Sequence, residues 1–114
     1  MTIQRIEPGV RMSNAVVHGN TVYLAGQTGE GEDVQAQARS ALAAVDALLA
    51  QVGSHKSKIL QATIWLRDIA DFAAMNTVWE AWIDPSNPPA RATGEARLAA
   101  PELKFEVIVI AALD

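Results

Sequence analysis

Two ionisable side chains in the last quarter of the sequence, Arg91 and Glu106, have the chemical types that catalysis on a small carboxylic acid requires. Arg91 follows Pro88 and Pro89, which fix an extended backbone, and Thr93 lies two residues later on the same side of the expected strand. A guanidinium offers a planar fork of donors that matches a carboxylate, and a glutamate can hold or activate a water molecule. We therefore take Arg91 and Glu106 as the candidate catalytic pair, with Arg91 also binding substrate.

Each candidate also has a simpler explanation that involves no ligand. An arginine at a strand edge often pairs with a local acid or stays solvated. Strand alternation places Glu106 on an otherwise apolar face, which favours a role for its carboxylate in a ligand site. The alternative is that the carboxylate is solvated or paired with Lys104 or Arg97. Asn76 interrupts the apolar side of an expected helix, where it either lines a ligand cleft or binds a loop carbonyl.

The composition indicates one domain, residues 1–114, and excludes several classes of protein. Half of the residues are hydrophobic and 5% are aromatic, which is typical of a compact domain and excludes disorder. The chain has no cysteine, so it has no disulfide, thiolate nucleophile or zinc–thiolate site. Its net charge of -4 argues against extended contact with nucleic acid, which needs a surplus of lysine and arginine.

Signals for export, membrane insertion and metal binding are also missing. The segment 1–7 carries charges and lacks the apolar centre of a signal peptide. No apolar run approaches the roughly 20 residues that span a bilayer. Neither His18 nor His55 has a second metal-type ligand nearby, so we expect no metal. These features predict a cytoplasmic protein without a membrane partner.

The hydrophobic pattern predicts the elements that would position the candidate residues. Apolar spacing predicts helices at 33–52 and 71–83, with Asp33 capping the first and Gly53 ending it in a left-handed conformation. A turn at Gly19-Asn20 joins the first two expected strands. The expected strands cover residues 16–18, 21–25, 60–66, 91–98 and 104–113.

This order of elements predicts an α+β fold with two helices on one face of a mixed sheet of five or six strands, and a six-stranded sheet is the fold we expect. The third expected strand would bury Leu60, Ala62, Ile64 and Leu66, and the second helix Phe72, Met75, Val78, Trp79 and Trp82. Residues 105–112 are apolar on both alternate faces, so that strand needs cover on both sides. Because the helices cover one face, we expect the other to be buried against another subunit of a homo-oligomer.

Short motifs are spread over nearly the whole chain, and together, although not singly, they are specific enough to indicate a protein family. They are Arg11-Met12-Ser13, residues 19–27, residues 68–76, residues 89–93 and Glu106. In this order they resemble the RidA/YjgF imine deaminase family, and particularly its short YoaB-like branch. The resemblance implies a chorismate-mutase-like subunit in a homotrimer, with ligand clefts between neighbouring subunits.

The resemblance also implies a reaction. It is the hydrolysis of reactive 2-imino acids, of the 2-iminobutanoate and 2-iminopropanoate type, or of their enamine tautomers, to 2-oxo acids and ammonia. The implied substrate carries a carboxylate, and no cofactor is required. Arg91 matches the family's carboxylate-binding arginine, Glu106 its water-positioning glutamate, and Asn76 an asparagine that lines the cleft.

The chain departs from the family pattern at three places. Thr93 stands where many members have cysteine, so it would offer a hydroxyl to the substrate. Ala25 stands where archetypal members have a serine, which leaves the Ala25-Gly26 backbone to contact the ligand. The aromatic residue of the N-terminal loop has no counterpart, and Arg11 and Ser13 are the candidates for its role.

Two other functions remain open from the sequence. The first is a regulatory trimer that binds small metabolites in the same cleft without turning them over. Ala25 in place of serine favours this function. Some family members are called ribonucleases, but the chain has no evident pair of catalytic histidines, and its acidic balance disfavours RNA.

Overall fold

A computed structural model describes residues 1–114 as six strands, two α-helices and two single turns of 3₁₀-helix. The helices are α1, Val34–Gln51, and α2, Phe72–Trp82, and the 3₁₀ turns are Lys56–Lys58 and Ile69–Asp71. The strands are β1, Ile3–Ile6; β2, Ala15–His18; β3, Thr21–Leu24; β4, Ile59–Leu66; β5, Ala90–Glu95; and β6, Phe105–Ala112. Strand β1 was not predicted from the pattern, since residues 3–6 have no clear alternation.

All six strands form one sheet in the order β1-β2-β3-β6-β4-β5. Strands β4 and β5 pair in parallel, and every other neighbouring pair is antiparallel. The predicted α+β fold with a mixed, six-stranded sheet is therefore confirmed. Strand β6 lies near the middle of the sheet, and β5 is an edge strand.

Helix α1 begins and ends as the sequence predicts. The side chain of Asp33 accepts a hydrogen bond from the backbone N–H of Ala36 at 2.8 Å, which caps the first turn. Gly53 has a φ of 76°, a left-handed conformation that glycine adopts without strain. The N–H groups of Gly53 and Ser54 donate to the carbonyls of Ala50 and Leu49, which completes a Schellman cap.

Both helices pack against the same face of the sheet, and a single core lies between them. In β6 the residues on this face are fully buried, as are Ala62, Ile64 and Leu66 of β4. Leu42 and Leu49 of α1 and Met75 of α2 are among the helix residues that pack into this core. No helix of this fold has the length and apolar character that crossing a membrane would need.

Two predicted core residues lie outside the core. The register of β4 against β6 shifts between Ile59 and Gln61, so Ile59 occupies the buried position and Leu60 is 52% exposed. Phe72, the first residue of α2, is 41% exposed. The fifth strand ends at Glu95 and not at Leu98, because its partner β4 ends at Leu66.

The face of the sheet opposite the helices is open and largely apolar. On β6 this face carries Glu106, Ile108, Ile110 and Ala112, all half-buried within the protomer. Tyr23 pairs with Ile110 across the sheet and is 45% exposed. The structure thus confirms that β6 is apolar on both faces and that the two helices cover only one.

Candidate functional site

Arg91 lies on the helix side of the edge strand β5, held between two aromatic rings of α2. Its register partner in β4 is Ala62, a core residue, which fixes the face on which the side chain lies. The guanidinium carbon is 5.3 Å from the centre of the Trp79 ring and 5.8 Å from the centre of the Phe72 ring. Both distances are within the range of cation–π attraction. The exposed Phe72 is therefore explained by its contact with Arg91.

The charge of Arg91 has no acidic partner in direct contact. Burial lowers the pKa of the Arg91 guanidinium from its ordinary value, and the negative charge of Glu80 opposes that shift. The guanidinium nevertheless stays charged, as arginine does in proteins. A half-buried cation held by aromatic faces keeps its planar fork of donors free for an anion.

An open cavity of about 390 Å³ adjoins this guanidinium, between α2 and the segment that leads into β5. Its volume is at the lower end of the range found for small-molecule sites. The cavity is lined by Asn76, Trp79, Glu80, Ile83, Pro85, Pro88 and Arg91. Two residues expected to bind substrate, Arg91 and Asn76, are thus brought together.

Thr93 lies on the same face of β5 as Arg91, as the alternation predicts. Its register partner is the buried Ile64, and its hydroxyl is buried without a hydrogen-bond partner. Thr93 is not one of the residues that line the cavity beside Arg91. A buried hydroxyl without a partner is uncommon in native proteins, and its hydrogen-bonding capacity is unused within the protomer.

Glu106 belongs to a second group of candidates, with Ala25 and Gly26. Gly26 approaches the Glu106 side chain so closely that a Cβ at position 26 would overlap carboxylate oxygen Oε2. The backbone keeps this contact in place, because Gln27 and Val107 exchange two N–H···O bonds of 2.8 and 3.0 Å. Glycine at position 26 is therefore needed for the Glu106 carboxylate to reach its position.

The N-terminal loop adjoins this second group through a backbone hydrogen bond. The N–H of Ala25 donates to the carbonyl of Asn14 at 2.9 Å, which places Ser13 close in sequence to that contact. Arg11 is exposed, and Ser13 is half-buried. Neither residue lines the cavity beside Arg91.

Arg91 and Glu106 lie on opposite faces of one sheet. Arg91 shares its face with Ala62, whereas Glu106 pairs with Trp65, three residues along β4 and therefore on the other side. One small substrate cannot contact both side chains of a single protomer across the sheet. If both act on the same molecule, they must come from different protomers.

Sequence reasoning did not find the contacts that shape these two groups. Phe72 and Trp79 were assigned to a core stripe, although their spacing of seven residues also places them on one side of a helix that an arginine can reach. The close approach of Gly26 to Glu106 depends on the register of distant strands and has no local signal. No group of three or more His, Asp or Glu side chains is gathered as ligands for a metal ion.

Comparison with known proteins agrees with this fold. A family model described as endoribonuclease L-PSP matches residues 2–113. The RutC family protein YoaB of Escherichia coli is 45% identical over 115 residues, covering 99% of this chain and 100% of its own. A crystal structure of a YjgF protein family member from Neisseria meningitidis has a TM-score of 0.98 and 40% identity, covering 100% of this chain and 97% of that one.

A more distant relative carries the name of an activity. The 2-iminobutanoate/2-iminopropanoate deaminase of Escherichia coli is 32% identical over 106 residues, covering 90% of this chain and 83% of its own. Taken with the fold and the matched residues, these findings show that the chain belongs to the RidA/YjgF/L-PSP family, with YoaB-like relatives. The family predicted from the short motifs is confirmed.

Proposed function

We propose that this protein is a cofactor-independent deaminase that hydrolyses 2-imino acids, or their enamine tautomers, to 2-oxo acids and ammonia in the cytoplasm. The deaminase named among its relatives supports this reaction class. The observation that carries the proposal is Arg91, a cation with no acidic side chain in direct contact, held between two aromatic rings at a cavity of small-molecule size. Such a site suits a small organic anion.

In this proposal the substrate carboxylate binds to the fork of the Arg91 guanidinium, which orients the neighbouring iminium carbon. Asn76 lines the same cavity and offers its amide to the polar atoms of the substrate. The backbone of Ala25-Gly26 supplies further hydrogen bonds, and the Thr93 hydroxyl, which is buried outside the cavity lining, supplies one after its side chain rotates toward the substrate.

Glu106 holds the water molecule that reacts. The water oxygen forms a bond to the iminium carbon while Glu106 accepts a proton from the water, which gives a tetrahedral aminoalcohol. Return of that proton to the amino group makes ammonia the leaving group. As the C–N bond breaks, the hydroxyl oxygen forms the C=O bond of the 2-oxo acid and its proton passes to Glu106, from which the released ammonia takes it up as ammonium. General-base assistance of this kind contributes a factor on the order of 10²–10⁴.

The two halves of the site come from neighbouring protomers of a homotrimer in this proposal. The opposite-face placement of Arg91 and Glu106 supports it, because no single protomer could offer both to one substrate. The open apolar face, with Ile108, Ile110 and Tyr23, supports it as well, because a surface of that kind is stabilised by burial against another copy.

The test supplies imine continuously from a threonine dehydratase and times the release of 2-oxo acid. We expect the wild-type protein to accelerate release over the uncatalysed rate and Arg91→Ala to lose that acceleration. Arg97→Ala is the matched control, since Arg97 is exposed and lies outside the cavity. Equal rates for the wild-type protein and Arg91→Ala would reject the deaminase.

The same proteins separate the alternatives. A protein that binds a small 2-oxo acid through Arg91 but does not accelerate imine hydrolysis would be a metabolite-binding regulator, the function that Ala25 favours. The family model's description also names an endoribonuclease, and the net charge of -4 stands against RNA as the substrate. RNA cleavage by rigorously purified protein that is lost in Glu106→Ala would favour the nuclease.

A further inference from the structure

Gln37 of α1 is the one polar residue in the buried set, with 3% of its surface exposed. Its Nε2 donates to the carbonyls of Gly31 and Glu102, both at 3.0 Å, and its Oε1 accepts from the N–H of Lys104 at 2.7 Å. A buried amide with both donors and its acceptor engaged makes the segments around it rigid. None of these partners lies in α1 or lines the Arg91 cavity.

The two segments that Gln37 joins both lead to Glu106. Lys104 is the residue before β6, and Glu106 is the second residue of that strand. The other segment is the loop after β3, where Gln27 pairs with Val107 of β6 through two backbone hydrogen bonds. Gln37 therefore fixes the loop that carries Gly26 against the start of the strand that carries Glu106.

Close packing reinforces the same arrangement. A Cβ at Gly29 would overlap the carbonyl oxygen of Gln37 and lie 2.7 Å from the backbone nitrogen of Ala41, so the loop rests directly on α1. Three residues earlier, Gly26 rests directly on the Glu106 carboxylate. The loop is thus held between α1 at one end and Glu106 at the other. A shift at the α1 end moves the surface against which Glu106 is placed.

We propose that Gln37 is a positioning residue that acts through Glu106, holding the carboxylate where it binds the attacking water. This inference rests on the proposed deaminase function. Neither Gln37 nor any of its hydrogen-bond partners lines the cavity beside Arg91, so we expect substrate binding at Arg91 to be independent of Gln37. Removal of the Gln37 hydrogen bonds therefore lowers kcat and leaves KM nearly unchanged.

The experiment uses Gln37→Met, which keeps an unbranched side chain of similar size and removes all three hydrogen bonds. We expect kcat for imine hydrolysis to fall about 10- to 100-fold, the cost of a misplaced catalytic group, with KM changed less than about twofold. Ser54→Ala is the matched control. The Ser54 hydroxyl donates to the Ala112 carbonyl at 2.6 Å, so this variant loses a comparable bond at the far end of β6. It lowers the unfolding temperature without lowering kcat.

A double-mutant cycle then separates positioning from stability. In a Glu106→Gln background, Gln37→Met has no further effect on kcat if Gln37 acts through Glu106. If Gln37→Met does not fold, Gln37→Asn, which keeps a neutral amide on a shorter side chain and so weakens the same three hydrogen bonds, enters the same cycle.

Each outcome decides the matter. An unchanged kcat, or an equal loss with and without Glu106, overturns the role of Gln37 while the deaminase stands. A wild-type protein with no activity overturns the proposed function and this role together. A fall in kcat that disappears in the Glu106→Gln background supports the inference.

Discussion

Replacement of Gly26 by alanine tests whether the position of the Glu106 carboxylate matters for turnover. The added Cβ would overlap Oε2 of Glu106 and lie 2.9 Å from its Cδ, so the glutamate side chain must rotate away. A glutamate tip is flexible, and a strained rotamer costs about 1 kcal/mol. Gly26 does not have a positive φ, so alanine fits its backbone and stabilises by about 0.4–1 kcal/mol through the unfolded chain. The free energy of unfolding should therefore change by less than about 1 kcal/mol.

Activity should respond far more strongly than stability. A displaced carboxylate no longer holds the water, so the general-base contribution is lost and kcat should fall about 100-fold. Gly53→Ala is the matched glycine control. Gly53 has a φ of 76° and nothing within 4 Å of an added Cβ, so this change should destabilise by about 1–2 kcal/mol and leave kcat unchanged.

The assay combines thermal or urea unfolding with steady-state imine hydrolysis on the same three proteins. The reasoning is refuted if Gly26→Ala keeps the kcat of the wild-type protein, because the close approach to Glu106 would then have no catalytic consequence. It is also refuted if Gly53→Ala loses as much kcat as Gly26→Ala, because the loss would then follow stability.

Three further predictions concern single side chains. Arg91→Lys replaces the guanidinium fork with a single ammonium, so it should raise KM about 10- to 100-fold in the imine assay. A KM within about twofold of the wild-type value would contradict the forked contact. Thr93→Val removes a buried hydroxyl that has no partner. Calorimetry should therefore find the free energy of unfolding unchanged or raised by about 1 kcal/mol, while KM for the imine rises about threefold. A lower free energy of unfolding would mean that the hydroxyl has a protein partner. Hydrogen bonds from Asn14, and secondarily from Gln51, lower the pKa of Glu7 below its usual 4.5. The charged Glu7 carboxylate therefore stabilises the fold at pH values above 4.5, and this stabilisation is lost as the pH falls through the pKa of the folded state. Between about pH 5 and pH 3, the unfolding temperature should fall less for Glu7→Gln than for the wild-type protein.

Most of the fold could be predicted from local patterns. The spacing of α1, its Asp33 cap and its Gly53 end are local signals, and the structure confirms all three. Strand β6 is apolar on both faces by simple alternation, and that pattern alone indicates a face that the helices leave uncovered. The burial of Leu60 was predicted wrongly, because a bulge between β4 and β6 depends on the pairing of distant strands.

The candidate site could be predicted only as separate residues. Arg91 and Asn76 were named from the residue pattern and do meet at one cavity. That Arg91 and Glu106 lie on opposite faces follows from the register of β4 with both of its neighbours, which the sequence does not encode locally. The roles of Phe72 beside Arg91 and of Gly26 beside Glu106 likewise arise from contacts between distant segments.

The central claim is that one substrate is handled by Arg91 of one protomer and Glu106 of another. The most direct test mixes two strongly impaired chains, Arg91→Ala and Glu106→Gln, by co-expression with different tags and purification of the mixed oligomer. In a cyclic trimer that contains both chains, one cleft of three receives both intact residues whichever chain is present twice, so about one third of the wild-type rate should return. Mixed oligomers that are no faster than either parent would contradict the claim.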